Sequence, residues 1–395
     1  MEVPVSESLT LRAPSGGAVE LASPFVLAPM AGITNAAYRQ LCREQAEQVL
    51  GREGAAPGLY VSEMITSRGV AERNPRTADM LRFDPGETVR SVQLYGVDPP
   101  VMAKATEILC TDFGVNHVDL NFGCPVPKVT RRGGGGVLPW KRDRLGAILR
   151  ATVAAADRYG VPVTMKTRLG IDAEHLTYRD AARIAQDSGC AAIALHGRTV
   201  QQAYSGQADW SAIAELVGAV EIPVLGNGDI WEATDAVAMM AQTGCAGVVI
   251  GRGCLGRPWL FADLATAFSG GTQRALPSLG EVAAMVRRHA ELLTELYGEK
   301  HGLTDLRKHM AWYFKGFGLG GELRRGLAMV SSLAELDALL ARTAADQPFP
   351  TTELASPRGR QGAPRDRVTV PYGWLDSETL GDDDISDAEC DVSGG

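Results

Sequence analysis

The sequence contains no apolar run of 18 or more residues, the length that a helix needs to span a bilayer. Its first residues, MEVPVSESLTLRAPSGG, include acids and prolines where a secretory signal has basic and then apolar residues. We therefore expect a cytoplasmic protein with no membrane partner. The seven cysteines form no C-x-x-C pair and lack zinc-ligand spacing, so we expect no disulfide and no bound metal. Most of them, including Cys110 and Cys190, are expected to be small core residues.

Excess negative charge is confined to the C-terminus of the chain. The formal net charge is -8, but eight acids and no lysine or arginine lie between Asp376 and Gly395, so residues 1–375 sum to zero. A polar, acidic segment cannot bury enough apolar surface to offset its ordering entropy, and we expect this tail to be disordered. The overall charge therefore does not exclude a nucleic-acid partner for the rest of the chain.

Eight short apolar runs rich in Val, Ile and Leu recur along the chain, most of them followed by a segment of helix-forming composition. This alternation predicts parallel strands joined by crossover helices. The runs begin at Phe25, Gly58, Val89, His117, Pro162, Ala192, Pro223 and Gly247. Eight units in series favour a closed (β/α)8 TIM barrel over an open doubly wound sheet, which has roughly five to seven strands.

Four regions follow from this pattern. Residues 1–20 form an N-terminal extension, and residues 21–275 form the barrel. Residues 276–345 show only helical patterns, which predicts a small second domain. Residues 346–395 are predicted to be an unstructured linker and the acidic tail, because prolines and arginines alternate in the linker without an apolar pattern.

Polar or otherwise unusual residues stand at or near the carboxyl ends of the apolar runs, which form the catalytic face of a TIM barrel. They are Pro29, Met30, Glu63, Gln93, Asn121, Lys166, Thr167, Arg168, His196, Asn227, Gly228, Asp229, Gly251 and Arg252. We therefore expect one site at this end of the barrel, the rim.

Two cations occupy one strand. Lys166 and Arg168 are two residues apart, so their side chains face the same way, inward or toward the rim. Two cations in that place predict an anionic ligand. The alternative is a salt bridge inside the barrel with Glu63 or Asp119, and the sequence leaves both open.

Two glycine-containing turns follow the last two strands, where barrels commonly hold a phosphate. They are Asn227-Gly228-Asp229 and Gly251-Arg252-Gly253. His196, in the segment HGRT, would contact a phosphate or the edge of a bound ligand, unless it bonds only to its neighbours.

Cys124 lies in the turn NFGCP, directly after the fourth apolar run. Lys128, Arg131 and Arg132 follow it and would either lower its pKa or form a solvated basic loop. The stretch Gly133–Gly136 is either a flexible lid or an ordinary loop. No Ser-His-Asp or H-E-x-x-H arrangement competes with this cysteine for a catalytic role.

The segments LAPMAGITN, VQLYG, DLNFGCPVPKV, MKTRLG, LHGRT, GNGDI and GRG occur in this order between about Phe25 and Leu340. In this respect the chain resembles the tRNA-dihydrouridine synthase family, bacterial B-type branch. The resemblance implies an FMN cofactor reduced by NADPH, which then delivers hydride to C6 of a uridine in tRNA. One departure is the sequence GGGGVLPW after the GCP turn, where the family usually has G-x-G-A or G-S-A-L.

The resemblance also implies roles for individual residues. Cys124 would be the general acid that protonates C5 of the uridine. The residues expected to bind the cofactor are Pro29, Met30 and Ala31 along the flavin, Gln93 at its pyrimidine edge, Lys166 beside the reduced ring, Asn227, Gly228, Asp229, Gly251 and Arg252 at the ribityl and phosphate, and also Asn121 and His196.

The helical region suggests an RNA surface. Between Leu296 and Val330 six basic residues outnumber three acids, and Trp312, Tyr313 and Phe314 stand among them. Such a surface suits RNA phosphates and splayed bases, unless the aromatic side chains pack this region onto the barrel. The candidate tRNA contacts are Lys128, Arg131, Arg168, Arg307, Lys308 and Lys315. We expect the protein to act on tRNA as a monomer.

Two alternative functions remain at this point. The first is an FMN barrel that acts on a free pyrimidine, as dihydroorotate dehydrogenases do. The second is a barrel that binds RNA without catalysis. The basic helical region and the open glycine loop argue against the first, and a bound flavin would exclude the second.

Overall fold

A computed structural model describes residues 8–380, so most of the predicted disordered tail lies outside the described residues. An antiparallel hairpin, β1 (Leu9–Arg12) and β2 (Ala18–Leu21), precedes the barrel. Its leucines alternate with polar residues and are buried, in one apolar cluster with strand residues of the barrel such as Val61 and Leu225. The predicted extension thus contributes to the core, which its composition did not reveal.

Eight parallel strands form a closed barrel, which confirms the predicted (β/α)8 fold. The strands are β3 (Phe25–Leu27), β4 (Leu59–Thr66), β5 (Ser91–Tyr95), β6 (His117–Phe122), β7 (Val163–Arg168), β8 (Ala192–His196), β9 (Val224–Asn227) and β10 (Gly247–Ile250), and β10 pairs with β3. Each strand overlaps one of the eight predicted apolar runs. Nearly all strand residues are buried, because helices cover the outside and side chains fill the inside.

Fourteen helices are present among the described residues. They are α1 (Ala36–Leu50), α2 (Ser67–Ala71), α3 (Pro75–Met80), α4 (Pro99–Asp112), α5 (Pro127–Thr130), α6 (Arg142–Asp157), α7 (Tyr178–Asp187), α8 (Trp210–Val217), α9 (Ala233–Thr243), α10 (Leu260–Phe268), α11 (Leu279–Tyr297), α12 (Glu299–Tyr313), α13 (Gly321–Met329) and α14 (Leu333–Leu340). None of these helices combines the length and the apolar character that crossing a membrane requires.

The helices α11 to α14 make up the predicted helical region, and α11 packs against α1 of the barrel. A buried aromatic group joins the two parts: the Tyr313 hydroxyl lies 3.0 Å from His289 Nδ1, and the Tyr38 ring is 5.5 Å from the His289 ring. Tyr313 and Phe314 are about 2% exposed. These two aromatic side chains therefore pack the helical region onto the barrel and are not available for RNA bases.

The segment after the helical region, residues 348–380, is the C-terminal strap. It contains little regular structure, as predicted for a linker, but it is packed on the barrel and the prediction that it is unstructured is wrong. Trp374 is buried, and its Nε1 donates to Val137 O at 3.1 Å. Lys141 Nζ donates to Ser377 O at 2.6 Å. Scattered apolar residues without periodicity, such as Trp374, gave no signal of this docking in the sequence.

Candidate active site

A cavity of about 350 Å³ opens at the carboxyl ends of the barrel strands. Its volume lies within the usual range for small-molecule and cofactor sites. All twelve residues expected to bind a cofactor line it, together with Cys124 and Arg168: Pro29, Met30, Ala31, Gln93, Asn121, Lys166, His196, Asn227, Gly228, Asp229, Gly251 and Arg252. Strand ends that are far apart in sequence meet here because the barrel closes.

A hydrogen-bonded chain of side chains connects β5, β6 and β7 at one side of the cavity. Gln93 Nε2 donates to Asp119 Oδ2 at 2.6 Å, and Asn121 Nδ2 donates to Gln93 Oε1 at 2.8 Å. The Thr164 hydroxyl donates to the other Asp119 oxygen at 2.7 Å. These bonds fix the orientation of the Gln93 amide, so that it is preorganised for a polar ligand.

Lys166 lies inside the cavity near Asp119. Burial and, to a smaller extent, the nearby Arg168 cation lower the pKa of Lys166 to about 7, although Asp119 opposes both effects. Burial likewise raises the pKa of Asp119 to about 6. The Glu63 carboxylate is engaged elsewhere, because it accepts the Gly32 N–H at 2.7 Å. An anionic ligand beside Lys166 would stabilise the charged ammonium.

Arg168 is 3% exposed and bonds to the protein itself. Its Nε donates to Gly123 O at 2.8 Å, and its Nη1 donates to Thr199 O at 3.0 Å and to Ala203 O at 2.9 Å. It thereby ties the cysteine turn to the loop after β8. Three backbone carbonyls thus accept from Nε and Nη1 of Arg168, and the contact of this residue with tRNA stays a prediction.

The turn that carries Cys124 is held by the end of β6. Asn121 Oδ1 accepts the N–H of Gly123 at 3.0 Å and that of Cys124 at 2.9 Å. Burial raises the pKa of the Cys124 thiol, and the positive charges of Arg168 and Arg365 offset only part of this effect. The thiol is therefore protonated at neutral pH, as a proton donor must be.

The glycine stretch after this turn is an ordered wall and not a lid. Gly136 N donates to Cys124 O at 3.0 Å, and a 3-10 helix covers Gly135–Trp140. Gly135 has φ of 60°, and a Cβ on it would lie 2.7 Å from Cys124 O. The backbone at Gly135 therefore lies so close to the cysteine that a side chain does not fit there.

The opposite end of the cavity carries groups suited to an anion. Gly228 and Asp229 follow β9, and Gly251 follows β10. Their backbone N–H groups donate to no acceptor among residues 8–380. The Arg252 guanidinium lies 4.6 Å from the Tyr204 ring and 5.1 Å from the Trp231 ring. Exposed N–H groups and a stacked guanidinium are typical of phosphate sites.

His196 lies between the two ends of the cavity. Burial lowers its pKa well below the ordinary value, and the cations Arg168, Lys166, Arg198 and Arg252 add to this effect. The imidazole is therefore neutral at pH 7. A Cβ on Gly228, which has φ of 125°, would lie 2.5 Å from Ala208 Cβ and 3.2 Å from the His196 ring, so glycine is required at this position.

The sequence did not point to four residues of the site. Arg198 Nη2 donates to both oxygens of Asp229, at 2.7 and 2.8 Å, and holds this residue at φ of 56°. The feature of the sequence that could have identified Arg198 is its position two residues after His196. Tyr204, Trp231 and Arg360 also line the cavity, but they lie in loops or in the strap, where no strand pattern marks them.

The predicted tRNA contacts outside the cavity divide into two groups. Lys128 and Arg131 are exposed beside the cysteine turn. In the helical region Arg307 Nε donates to Val330 O, Lys308 pairs with Asp305, and Lys315 pairs with Glu353 and donates to Pro357 O. Arg307 and Lys315 thus also have roles within the protein.

Comparisons with known proteins agree with this architecture. A model of the family described as dihydrouridine synthase matches residues 26–348. A probable tRNA-dihydrouridine synthase of Mycobacterium tuberculosis is 55% identical over 360 residues, 91% of each chain. The tRNA-dihydrouridine synthase B of Vibrio vulnificus is 36% identical over 324 residues, 82% of this chain and 96% of the relative. Histamine dehydrogenase from Rhizobium sp. 4-9 is similar in fold alone, with a TM-score of 0.50 and 11% identity over 87% of this chain and 65% of that one.

Proposed function

Because this chain belongs to the dihydrouridine synthase family, we propose that it reduces a uridine of tRNA to 5,6-dihydrouridine, with FMN in the cavity and NADPH as reductant. The observation that carries the proposal is a half-buried cysteine with a raised pKa in the same cavity as a lysine and an anion-binding end. When bound, FMN would supply the hydride for the reduction.

The donor set of the cavity suits FMN. The fixed amide of Gln93 would bond to the polar edge of the flavin, and the Lys166 ammonium would face the negative charge of the reduced ring. The free N–H groups after β9 and β10, with the Arg252 guanidinium, would hold the phosphate. The polar edge, the reduced ring and the phosphate of the cofactor would therefore each meet a group of complementary chemistry.

Cys124 would complete the reduction from the other side of the base. A hydride added to C6 of the uridine leaves negative charge at C5 and O4, and the thiol would transfer its proton to C5. The C5=C6 double bond becomes a single bond, and solvent returns a proton to the thiolate. Asn121 would connect the proton donor with the flavin site, since its Oδ1 accepts from the Cys124 N–H and its Nδ2 donates to Gln93.

The proposed activity is tested with tRNA that lacks dihydrouridine. The purified protein, NADPH and this tRNA should yield dihydrouridine that is detectable by mass spectrometry of the digested RNA, and the protein should show flavin absorbance. Reduction of free pyrimidines without any reaction on tRNA would favour the dihydroorotate dehydrogenase-like alternative. A protein that binds tRNA but no flavin would be a non-catalytic barrel.

Replacement of Lys166 by alanine should weaken FMN retention and slow flavin reduction by NADPH by roughly 10²-fold, because the reduced ring loses a fixed cation. The measurement is the stopped-flow rate constant of flavin bleaching. Lys166→Met keeps most of the side-chain volume and should show the same defect. Normal reduction in both variants would remove Lys166 from the flavin site.

We further propose that tRNA binds across the rim, with Lys128 and Arg131 contacting its phosphates. Charge reversal at both positions should weaken tRNA binding and reduce the salt dependence of the affinity, while NADPH oxidation continues. A matched control is the pair Arg52→Glu and Arg158→Glu, which makes the same charge change at exposed helix ends on the opposite side of the barrel. Equal losses in the two double variants would show only a general effect of net charge.

The helical region is proposed as the second tRNA contact. Among its predicted cations, Lys308 lies near the rim, 3.8 Å from the position of a Cβ on Gly32. Arg307 and Lys315 would act from positions that their protein partners already fix. A domain of this kind would orient tRNA so that one flipped uridine enters the cavity.

A further inference from the structure

The C-terminal strap reaches the anion-binding end of the cavity. Arg360 lines the cavity, and its carbonyl oxygen accepts from Arg252 Nη1 at 2.7 Å. The family model matches residues 26–348, so this part of the cavity wall lies beyond the residues that the model covers.

Its neighbours hold this part of the strap in place. Arg358 is 3% exposed, and its Nη1 donates to Leu255 O at 3.2 Å and to Trp312 O at 2.8 Å. Gly359 has φ of 69°, and a Cβ on it would lie 2.8 Å from Leu255 Cδ1. One buried arginine and one glycine in the left-handed region therefore determine where residue 360 is placed.

Positive charge is in excess at this end of the cavity. Arg252, Arg360 and Asp229 line this end, and the buried Arg198 guanidinium pairs with the Asp229 carboxylate. Asp229 is bonded to Arg198 at 2.7 Å and lies 3.9 Å from Arg252. Within residues 8–380 no carboxylate forms an ion pair with Arg360. Two uncompensated cations beside free N–H groups match a phosphate that carries two negative charges.

We propose that Arg358–Arg360 is a phosphate-binding element of this chain: the Arg360 side chain binds the terminal phosphate of FMN, and its carbonyl orients Arg252 toward the same group. This inference rests on the proposed function, because it takes FMN as the occupant of the cavity. It adds a cofactor ligand from a segment that the family match does not include.

The test compares two flavins that differ only in the phosphate. The full chain is freed of flavin and titrated with FMN or with riboflavin, and binding is followed by quenching of flavin fluorescence. Arg360→Ala should raise the Kd for FMN about 10-fold, the scale of a lost charge-assisted hydrogen bond, and leave the Kd for riboflavin unchanged. Arg360→Lys should fall between wild type and the alanine variant.

Arg367→Ala is the matched control, because Arg367 is an exposed arginine of the same strap that is absent from the cavity wall. Its affinity for both flavins should equal that of the wild type. An equal loss of FMN and riboflavin binding in Arg360→Ala would overturn the proposal, since the strap would then only support the cavity wall.

The proposal would also be overturned if Arg360→Ala bound FMN normally and tRNA more weakly. That result would place an RNA phosphate beside Arg360. If the wild-type protein binds neither flavin, the proposed function fails. If the wild type binds FMN and Arg360→Ala binds it equally well, only this inference fails.

Discussion

Replacement of Cys124 by alanine should lower the rate constant for reoxidation of the reduced flavin by tRNA by about 10²- to 10⁴-fold, the usual effect of losing a general acid. FMN binding and reduction by NADPH should remain normal, because neither step requires a proton donor at that position. The measurement is single-turnover mixing of reduced protein with tRNA that lacks dihydrouridine.

The matched control is Cys190→Ala, which removes a buried thiol just before β8. It should affect stability more than the reoxidation rate, because the change leaves a small cavity in the core. If Cys124→Ala reoxidises at the wild-type rate, another group or water supplies the proton and the assignment is wrong.

The pH profile gives an independent check on the thiol. Burial raises the pKa of Cys124, so the proton-donating form is complete at neutral pH and is lost only as the pH rises through this raised value. The rate constant for reoxidation should therefore stay constant through neutral pH and decline only in alkaline solution. A decline between pH 6 and pH 8 would contradict a protonated thiol as the acid.

Replacement of Arg198 by methionine should have the largest effect on the fold of the site. Arg198 is 1% exposed and donates to both oxygens of Asp229 and to two backbone carbonyls. Its loss leaves the Asp229 carboxylate without its main partner. We expect a loss of about 3–5 kcal/mol in unfolding free energy, measured by urea denaturation, and weaker FMN binding.

The double variant Arg198→Met with Asp229→Asn separates charge from packing. It removes both members of the ion pair, so no uncompensated carboxylate remains, and much of the lost stability should return. If the double variant is as unstable as the single one, the hydrogen bonds of Arg198 to Ser205 O and Gly206 O carry its effect.

The barrel was predictable because its signal is local. Each strand is a short apolar run, and eight such runs with helical segments between them leave few alternative folds. The site followed from the same pattern, since residues such as Gln93, Lys166 and Asn227 stand where the runs end. The role of Arg168 was not predictable, because the period of the strand gives the face of a side chain but not its partners.

The C-terminal strap shows the limit of such reasoning. Its residues have neither the period of a strand nor that of a helix, so its composition predicted a free linker. Two sets of contacts hold it on the barrel. The buried Trp374 donates to Val137 O, and the Arg358 guanidinium donates to Leu255 O and to Trp312 O of α12. Such contacts join residues more than 40 positions apart, and no local pattern encodes them.

The sequence by itself determined the order of the strands, the rim on which the polar residues meet, and the cysteine turn with its family resemblance. These features depend on the periodicity of apolar side chains and on which residues are adjacent in the sequence. Only the tertiary structure decided that the pKa of the half-buried Cys124 is raised, that Arg198 holds Asp229, and that Arg360 lines the cavity. The reason is physical: burial and distant partners set a pKa and an ion pair, and both arise only when the chain has closed on itself.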